Sequence, residues 1–367
     1  MIDYSRIKKP TLLLNETRCR ENIRGMSMKA KTSGVIFRPH FKTHQSATIG
    51  EWFREEGINS ITVSSVTMAL YFAHSGWEDI TIAFPLNLRE LDEAQSLAEK
   101  IRLNILVSAY EQTRSILRKI KFRSGCFLKI NTGLNRSGID WNDSDQIWRM
   151  TQLIKMSPHI RFKGFLTHSG HTYKASGIDE IFDIYRDTLF KFSSLRSEYN
   201  SSGTIFSTGD TPSCSLVSDF SGFDEIRPGN FIFYDLTQMT LGSCKADQVA
   251  VAVACPVVEK NYSRKEIIIY GGGVHLSKES IRFSDGRIVF GEAVLLNDEG
   301  WQFPAERCFL RSLSQEHGII AASDELMSNV KVGELLGIIP VHSCMTADLM
   351  RRYHTFDDKE ITDFSPK

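Results

Sequence analysis

Short apolar runs of β-forming residues recur through the first two thirds of the chain, at Gly34–Phe37, Ser60–Ser64, Ile80–Phe84, Arg102–Val107, Cys126–Asn131, Phe162–His168, Thr204–Ser207 and Ile226–Tyr234. Between most of them lie stretches whose apolar positions return at the spacing of one helix face: Glu51–Glu56, Val66–His74, Glu90–Lys100, Tyr110–Lys121, Asp143–Met156 and Asp179–Tyr199. Strands alternating with helices in this way predict an α/β fold built on a (β/α)8 TIM-type barrel, because each helix returns the chain to begin the next parallel strand. The segment after Asp210 is short and poorly helical, which leaves the strand count open by one. Beyond about Gly242 the pattern becomes strand-like with few helices, at Gln248–Glu259, Glu266–Tyr270, Arg287–Phe290, Val294–Leu296 and Val332–Ile339. This predicts a C-terminal β domain. Thr11–Leu14 is also strand-like and precedes a helical stretch, Glu16–Lys31, carrying Ile23 and Met26, so the first strand is free to join that domain. The expected division is a barrel over residues 15–243 and a β domain made of residues 1–14 with 244–367.

Size and charge narrow the function classes. A chain of 367 residues has room for a large core and a second, smaller domain. Lys+Arg and Asp+Glu balance at 44 each, which removes the electrostatic reason to expect a nucleic-acid partner and leaves small molecules and proteins. The seven cysteines are odd in number and scattered without a CxxC pair, against a disulfide framework and in favour of a reducing compartment. The apolar stretch near the N-terminus is shorter than the ~7–15 residues of a signal-peptide core. The run Val249–Val258 falls well below the ~18 residues of a membrane span. The expectation is a soluble cytoplasmic protein with no membrane partner.

In a βα barrel, reactive groups stand where strands end and the βα loops begin. Lys42 follows the first run, Asn131-Thr-Gly the fifth, His168-Ser-Gly-His171 the sixth and Ser207-Thr-Gly-Asp210 the seventh. A lone lysine is most often a solvated surface charge. At the inner end of an apolar strand it is partly desolvated, which lowers its pKa and favours the neutral amine of Schiff-base chemistry; protonated His40 and His44 on either side would add to that. Ser207-Thr-Gly-Asp-Thr-Pro212 offers hydroxyls, a glycine and a helix-opening proline, which suit either a phosphate cradle or an Asx turn. Arg227-Pro-Gly-Asn230 reads as a second backbone approach, with Arg227 free to meet an anion or a ring nitrogen, or as a plain Pro-Gly turn. His342 and Cys344, two apart, fall on one side if their segment is extended, and imidazole with thiolate is a pair suited to zinc, although two ligands alone do not make a site.

Taken in order, Arg38-Pro-His-x-Lys-Thr-His44, Asn131-Thr-Gly-x-x-Arg-x-Gly138, Gly170-His-x-Tyr173, Ser207-x-Gly-x-Thr-Pro212, Arg227-Pro-Gly-Asn230 and His342-x-Cys344 form a combination that resembles the D-serine dehydratase-like family over nearly the whole chain. That family is related to D-threonine aldolases and, more distantly, to alanine racemase. The resemblance implies the fold-type-III architecture, pyridoxal 5'-phosphate as cofactor, a D-amino acid as substrate and a homodimer. It matches Lys42 to the lysine that holds the cofactor and removes the substrate α proton, and it places Arg136 beside the cofactor's phenolic oxygen. Ser207, Gly209 and Thr211 match the phosphate-binding segment, with backbone amides from Gly229 and Asn230. Arg227 and Tyr173 compete for contact with the ring, Tyr173 also as a catalytic candidate, and His168 joins the cofactor-contacting set. His342 and Cys344 match ligands for Zn2+. The activity implied is a lyase: zinc-assisted dehydration and deamination of a β-hydroxy D-amino acid to a 2-oxo acid and ammonia. Aldol cleavage of the D-threonine aldolase type, racemisation, and cofactor binding without turnover are the alternatives. The aldolases typically carry His-x-Asp at the metal position, an oxygen ligand for harder ions, so Cys344 favours zinc and dehydration. Two departures bear on the substrate. Tyr270-Gly-Gly-Gly-Val-His-Leu-Ser277 lacks the family's usual Asp-Ala-Gly, and Gln45 stands where lysine is usual. His275 and Glu316-His317-Gly318 are read either as lining a domain interface or as structural.

Overall fold

Parallel strands covered by helices outside and packed on one another inside are apolar on both faces. The computed structural model, which describes residues 2–121, 123–199 and 201–364, puts the apolar runs in strands of this kind. After β1 (Thr11–Leu14) come β2 (Ile36–Phe37), β3 (Ile61–Val63), β4 (Asp79–Pro85), β5 (Arg102–Val107), β6 (Ser124–Asn131), β7 (Ile160–Leu166), β8 (Ile205–Thr208) and β9 (Glu225–Ile226). Strands β2 to β9 pair in parallel in the order β2-β9-β8-β7-β6-β5-β4-β3. A parallel bridge between His40 and Thr62 joins the two ends, with Phe41 N–H donating to the Thr62 carbonyl at 2.9 Å. The ring closes on eight strands. Its helices are α1 (Glu16–Thr32), α2 (Ala47–Glu55), α3 (Val66–His74), α4 (Leu91–Ala98), α5 (Tyr110–Lys119), α6 (Ser144–Lys155), α7 (Ile178–Tyr199) and the six-residue α8 (Thr211–Leu216). Several start on a side-chain cap, worth ~1 kcal/mol each: Asn15 accepts from Arg18 N–H, Ser65 from Met68 N–H and Asp143 from Gln146 N–H.

The apolar run Ile226–Tyr234 is not one strand. Only Glu225–Ile226 pairs; Asn230–Ile232 forms a tight helical turn that buries Phe231, Ile232 and Phe233 completely, so its apolar character serves packing rather than pairing.

The second domain holds β10 (Val251–Asn261), β11 (Glu266–Tyr270), β12 (Gly291–Asn297), β13 (Phe309–Leu313), β14 (His317–Ala321), β15 (Leu335–Pro340), β16 (Arg352–Thr355) and β17 (Glu360–Thr362). They follow the order β11-β14-β13-β12-β15-β10-β1-β16-β17, and β11 also pairs with β10. The first strand, β1, is antiparallel to β10 and parallel to β16, with Leu13 opposite both Ala252 and His354. Among the described residues, no helix is long and apolar enough to cross a membrane.

Within the barrel, charge replaces part of the usual aliphatic filling. Arg38 donates from Nε to Glu225 Oε2 at 2.6 Å and from one terminal nitrogen to Asp79 Oδ1 at 2.7 Å. Ser207 donates to Glu225 Oε1 at 2.7 Å and accepts from Arg227 Nε at 2.7 Å. Glu225 and Ser207 are wholly buried, and Arg38 and Arg227 nearly so. Removing one member of a buried charge network strands its partners in a medium of low polarity, a loss of ~3–5 kcal/mol. Glu225→Ala is therefore expected to lower the urea unfolding free energy by about that amount, and Glu225→Gln by less. A loss below about 1 kcal/mol for Glu225→Ala would mean that the two arginines are solvated through some other route.

Candidate active site at the barrel mouth

The segment after β2 sorts its residues between core and mouth. Phe41 is buried among Phe53, Phe72 and Trp77, with ring centroids 4.9 to 5.1 Å away. His44 is completely buried beside Phe41 and Phe53, accepts the Ser46 N–H on Nδ1 at 3.1 Å, and is held by burial at a pKa of about 3. It is a core histidine. Lys42, between these anchors, is exposed at the C-terminal end of the barrel. His40, on the mouth side, accepts the Lys42 backbone N–H on Nδ1 at 3.4 Å. Burial, then the charges of Lys42 and Arg227, push its pKa well below the ordinary value.

The sequence expectation for Lys42 needs correcting on two counts. The lysine is not desolvated, and neither histidine is a cation acting on it: both are neutral. The desolvated amine belongs to Lys129 on β6, which is 6% exposed and whose pKa is driven well down by burial and then by Arg227 and Arg136. Sequence reasoning passed over Lys129, although a lysine inside the apolar run Cys-Phe-Leu-Lys-Ile-Asn was the signal.

The other strand ends converge on the same mouth. Asn131 organises its loop by accepting from Gly133 and Asn135 N–H, and this turn presents Arg136, exposed and without an ion pair among the described residues. Arg136 lies close enough to depress His40, His168 and Lys129. His168 Nδ1 is 2.7 Å from the Gly209 carbonyl, which only accepts, so Nδ1 carries the proton and Nε2 is left as an acceptor. Burial and the nearby Lys129 and Lys42 keep this imidazole neutral. The Tyr173 hydroxyl accepts from Thr211 N–H at 3.2 Å; burial raises its pKa strongly, so it stays protonated. Lys42, Arg136 and Arg227 thus surround two neutral imidazoles, a field that favours an anion.

The Ser207–Asn230 region divides unevenly. Ser207, expected at a phosphate, spends its hydroxyl between Glu225 and Arg227, and Arg227 also donates to the Thr167 carbonyl. Both are turned into the barrel wall. Asn230 uses its amide nitrogen to brace Asp235 and Ser343, each at 2.8 Å. What remains free is Thr211 Oγ1, Ser213 Oγ and Asn230 Oδ1, all buried without a partner among the described residues. Gly209 and Gly229 approach so closely that an added Cβ would meet Arg227 N at 2.5 Å and the His40 carbonyl at 2.9 Å. Unpaired buried hydroxyls beside close-packed glycines fit a bound oxyanion.

The β domain completes the mouth. His342 is not in an extended run with Cys344; it caps the helix Ser343–Met350, and Cys344 lies in the first turn. The two side chains still meet. Burial alone would raise the thiol and lower the imidazole, yet the closeness of the two side chains outweighs it, drawing the Cys344 pKa below and the His342 pKa above its ordinary value. Cys344 Sγ contacts Thr43 Oγ1 at 3.2 Å. The same domain holds the lysine loop elsewhere: Tyr353 donates to the His44 carbonyl at 2.7 Å, Ser46 to the Thr362 carbonyl at 2.8 Å, and Gln45 to Asp348 at 2.9 Å. Among the described residues no third His, Cys, Asp or Glu joins His342 and Cys344 in a metal-holding group. His275 sits 3.8 Å from Glu316, on a helical turn whose glycines pack against the 314–317 loop.

Residues 14–236 match the family model described as alanine racemase, N-terminal domain. The chain belongs to that family. Residues 250–356 match a serine dehydratase domain, so both parts agree with the dehydratase-like group that the motifs resemble. The D-serine dehydratase of Dictyostelium discoideum is 28% identical, with 99% of this chain and 98% of the relative covered. The solved D-threo-3-hydroxyaspartate dehydratase from Delftia sp. HT23 superposes with a TM-score of 0.88 at 23% identity, covering 100% of both chains. A cysteine-to-alanine mutant of that dehydratase, described as a metal-free form, gives a TM-score of 0.89 at 22% identity over 100% of both chains.

Asp210 links this site to pH. It caps α8 by accepting from Ser213 N–H at 2.8 Å and takes a hydrogen bond from Thr172 at 2.9 Å, yet burial pushes its pKa up to about 6 from 3.8. A carboxyl raised in the folded state contributes stability that is present below the unfolded pKa and lost as pH rises through the folded one. Asp210→Asn keeps the accepting oxygen and removes the titration. Between pH ~4.5 and ~7.5 the wild type is expected to lose about 2 kcal/mol of unfolding free energy relative to the variant. Parallel pH profiles from chemical denaturation would contradict the assignment.

Proposed function

We propose that this chain is a pyridoxal-phosphate-dependent lyase that eliminates water from a β-hydroxy D-amino acid to leave an enamine, whose hydrolysis gives a 2-oxo acid and ammonia. The observation that supports the reading is the contact of Thr43 Oγ1 with Cys344 Sγ at 3.2 Å, which joins the loop carrying Lys42 to the segment carrying His342 and Cys344. Support also comes from the match to both domain models and from relatives named as D-serine and D-threo-3-hydroxyaspartate dehydratases.

Lys42 Nζ would hold the cofactor and would take the Cα proton. The free hydroxyls of Thr211 and Ser213, with the close backbone at Gly209 and Gly229, would hold its phosphate. When bound, the cofactor supplies an electron sink for the pair left at Cα. Tyr173 stays protonated and His168 neutral, so the site keeps one donor and one acceptor beside Lys42 without adding to its positive charge. His342 and Cys344 would hold Zn2+, which would supply Lewis acidity toward the substrate hydroxyl as a leaving group. Departure of the hydroxyl from Cβ and loss of the Cα proton together account for the water lost, and hydrolysis of the remaining enamine releases ammonia.

The test is to incubate the cofactor-loaded protein with D-serine, D-threonine and D-threo-3-hydroxyaspartate and identify the products. A 2-oxo acid with ammonia is expected. Glycine or glyoxylate-type cleavage products would reassign the reaction to aldol chemistry, the L-enantiomer to racemisation, and no turnover to cofactor binding alone. Lys42→Ala is expected to abolish both turnover and the visible absorbance of lysine-bound cofactor; retention of that absorbance would place the cofactor on another amine. His342→Ala, Cys344→Ala or chelation should lower dehydration by roughly a hundredfold or more while leaving the absorbance in place. Undiminished turnover after complete chelation would remove the metal from the reaction.

A further inference from the structure

The opposite end of the barrel, where strands begin, carries a second concentration of charge. The starts of β5, β6 and β7 frame a cavity of about 420 Å³ lined by Arg102, Arg123, Arg161 and Lys163, with His159 at its edge and no acidic residue in its wall. In a chain whose charges balance overall, four cations around one small cavity are an imbalance in need of an origin. Arg123, Arg161 and Lys163 form no ion pair with any described residue. Arg102 reaches only Asp79, at 3.6 Å, which Arg38 already engages at 2.7 Å.

Burial and then the adjacent Arg161 depress the pKa of Lys163, against the opposing pull of Asp79 and Glu225 deeper in the barrel. Space has been kept for the cations: a side chain at Gly125, on the cavity floor, would meet Asn104 Oδ1 at 2.1 Å and Lys163 Cγ at 2.8 Å. Ser124, 5% exposed and also in the wall, has a hydroxyl with no partner. Uncompensated cations, an unused hydroxyl and a volume within the ~300–1,000 Å³ range of small-ligand sites share one missing component, a compact multiply charged anion.

We propose that this cavity binds an oligophosphate, as free pyrophosphate or as the phosphate tail of a nucleotide. The site lies at the far end of the barrel from Lys42 and shares no residue with the proposed catalytic machinery. It does not depend on which reaction the mouth performs.

Titration calorimetry on cofactor-loaded protein, with free cofactor removed, tests the proposal by using pyrophosphate and ATP separately at low and high salt. Saturable one-site binding that weakens with salt is expected for at least one of them. Equal affinities would assign recognition to the phosphates alone, and tighter ATP binding would add a contribution from the nucleoside. Arg123→Glu and Arg161→Glu alter exposed side chains and should each weaken binding about tenfold or more, with the cofactor absorbance unchanged. Absence of saturable binding by both probes, or affinities unaltered in both variants, would overturn the proposal.

Discussion

The carboxylate of Glu225 holds the barrel's interior together. It has no access to water, and its two oxygens are taken by Arg38 on one side and Ser207 on the other. A charge so placed is tolerable only while all its partners remain, and the partners are themselves committed: Arg38 to Asp79, Ser207 to Arg227, Arg227 to the Thr167 carbonyl. One chain of contacts therefore ties β2, β4, β8 and β9 to the residue after β7 and fixes where the Arg227 guanidinium stands. The free hydroxyls and glycines of the mouth are arranged around that fixed point, since Gly209 packs directly on the Arg227 backbone.

The barrel was legible because its physics is periodic. A strand buried on both faces has to be an apolar run, and a covering helix has to repeat its apolar face, so Val66–His74 and Arg102–Val107 appear in the structure with the limits read from the chain. Legibility failed where apolarity served another purpose or was diluted. Phe231–Phe233 is apolar for packing and was taken for strand; β13, β14, β16 and β17 are short and mixed in polarity and were not seen. At the site, motif order does not carry the orientation of the side chains. His40 and His44 are equivalent on paper, yet one faces the mouth and the other a cluster of phenylalanines. Ser207 looks available until Glu225 and Arg227, distant in sequence from the lysine loop, are placed around it. His342 and Cys344 remain neighbours although their backbone is helical rather than extended, because one is the cap residue and the other lies in the first turn.

The mouth is a joint product of both domains. Residues 42–46 are delivered by the barrel, but Tyr353, Thr362, Asp348 and Cys344 hold them from the other side. Such a loop has little independent stability; its shape is set by carbonyls and side chains that tether it at both ends.

The placement of β1 carries a consequence for the order in which the molecule can assemble. The barrel's strands pair with neighbours only one βα unit away, apart from the final closure, whereas Leu13 waits for Ala252 on one edge and His354 on the other. Contacts between segments so far apart in the chain form late, because the intervening loop must first lose its freedom. Strand β1 thus depends on partners far along the chain, and while unpaired it is an apolar edge of Thr-Leu-Leu-Leu, open to pairing with another molecule. The lysine loop depends on the same distant partners, since Tyr353, beside the residue that pairs with Leu13, also holds the His44 carbonyl.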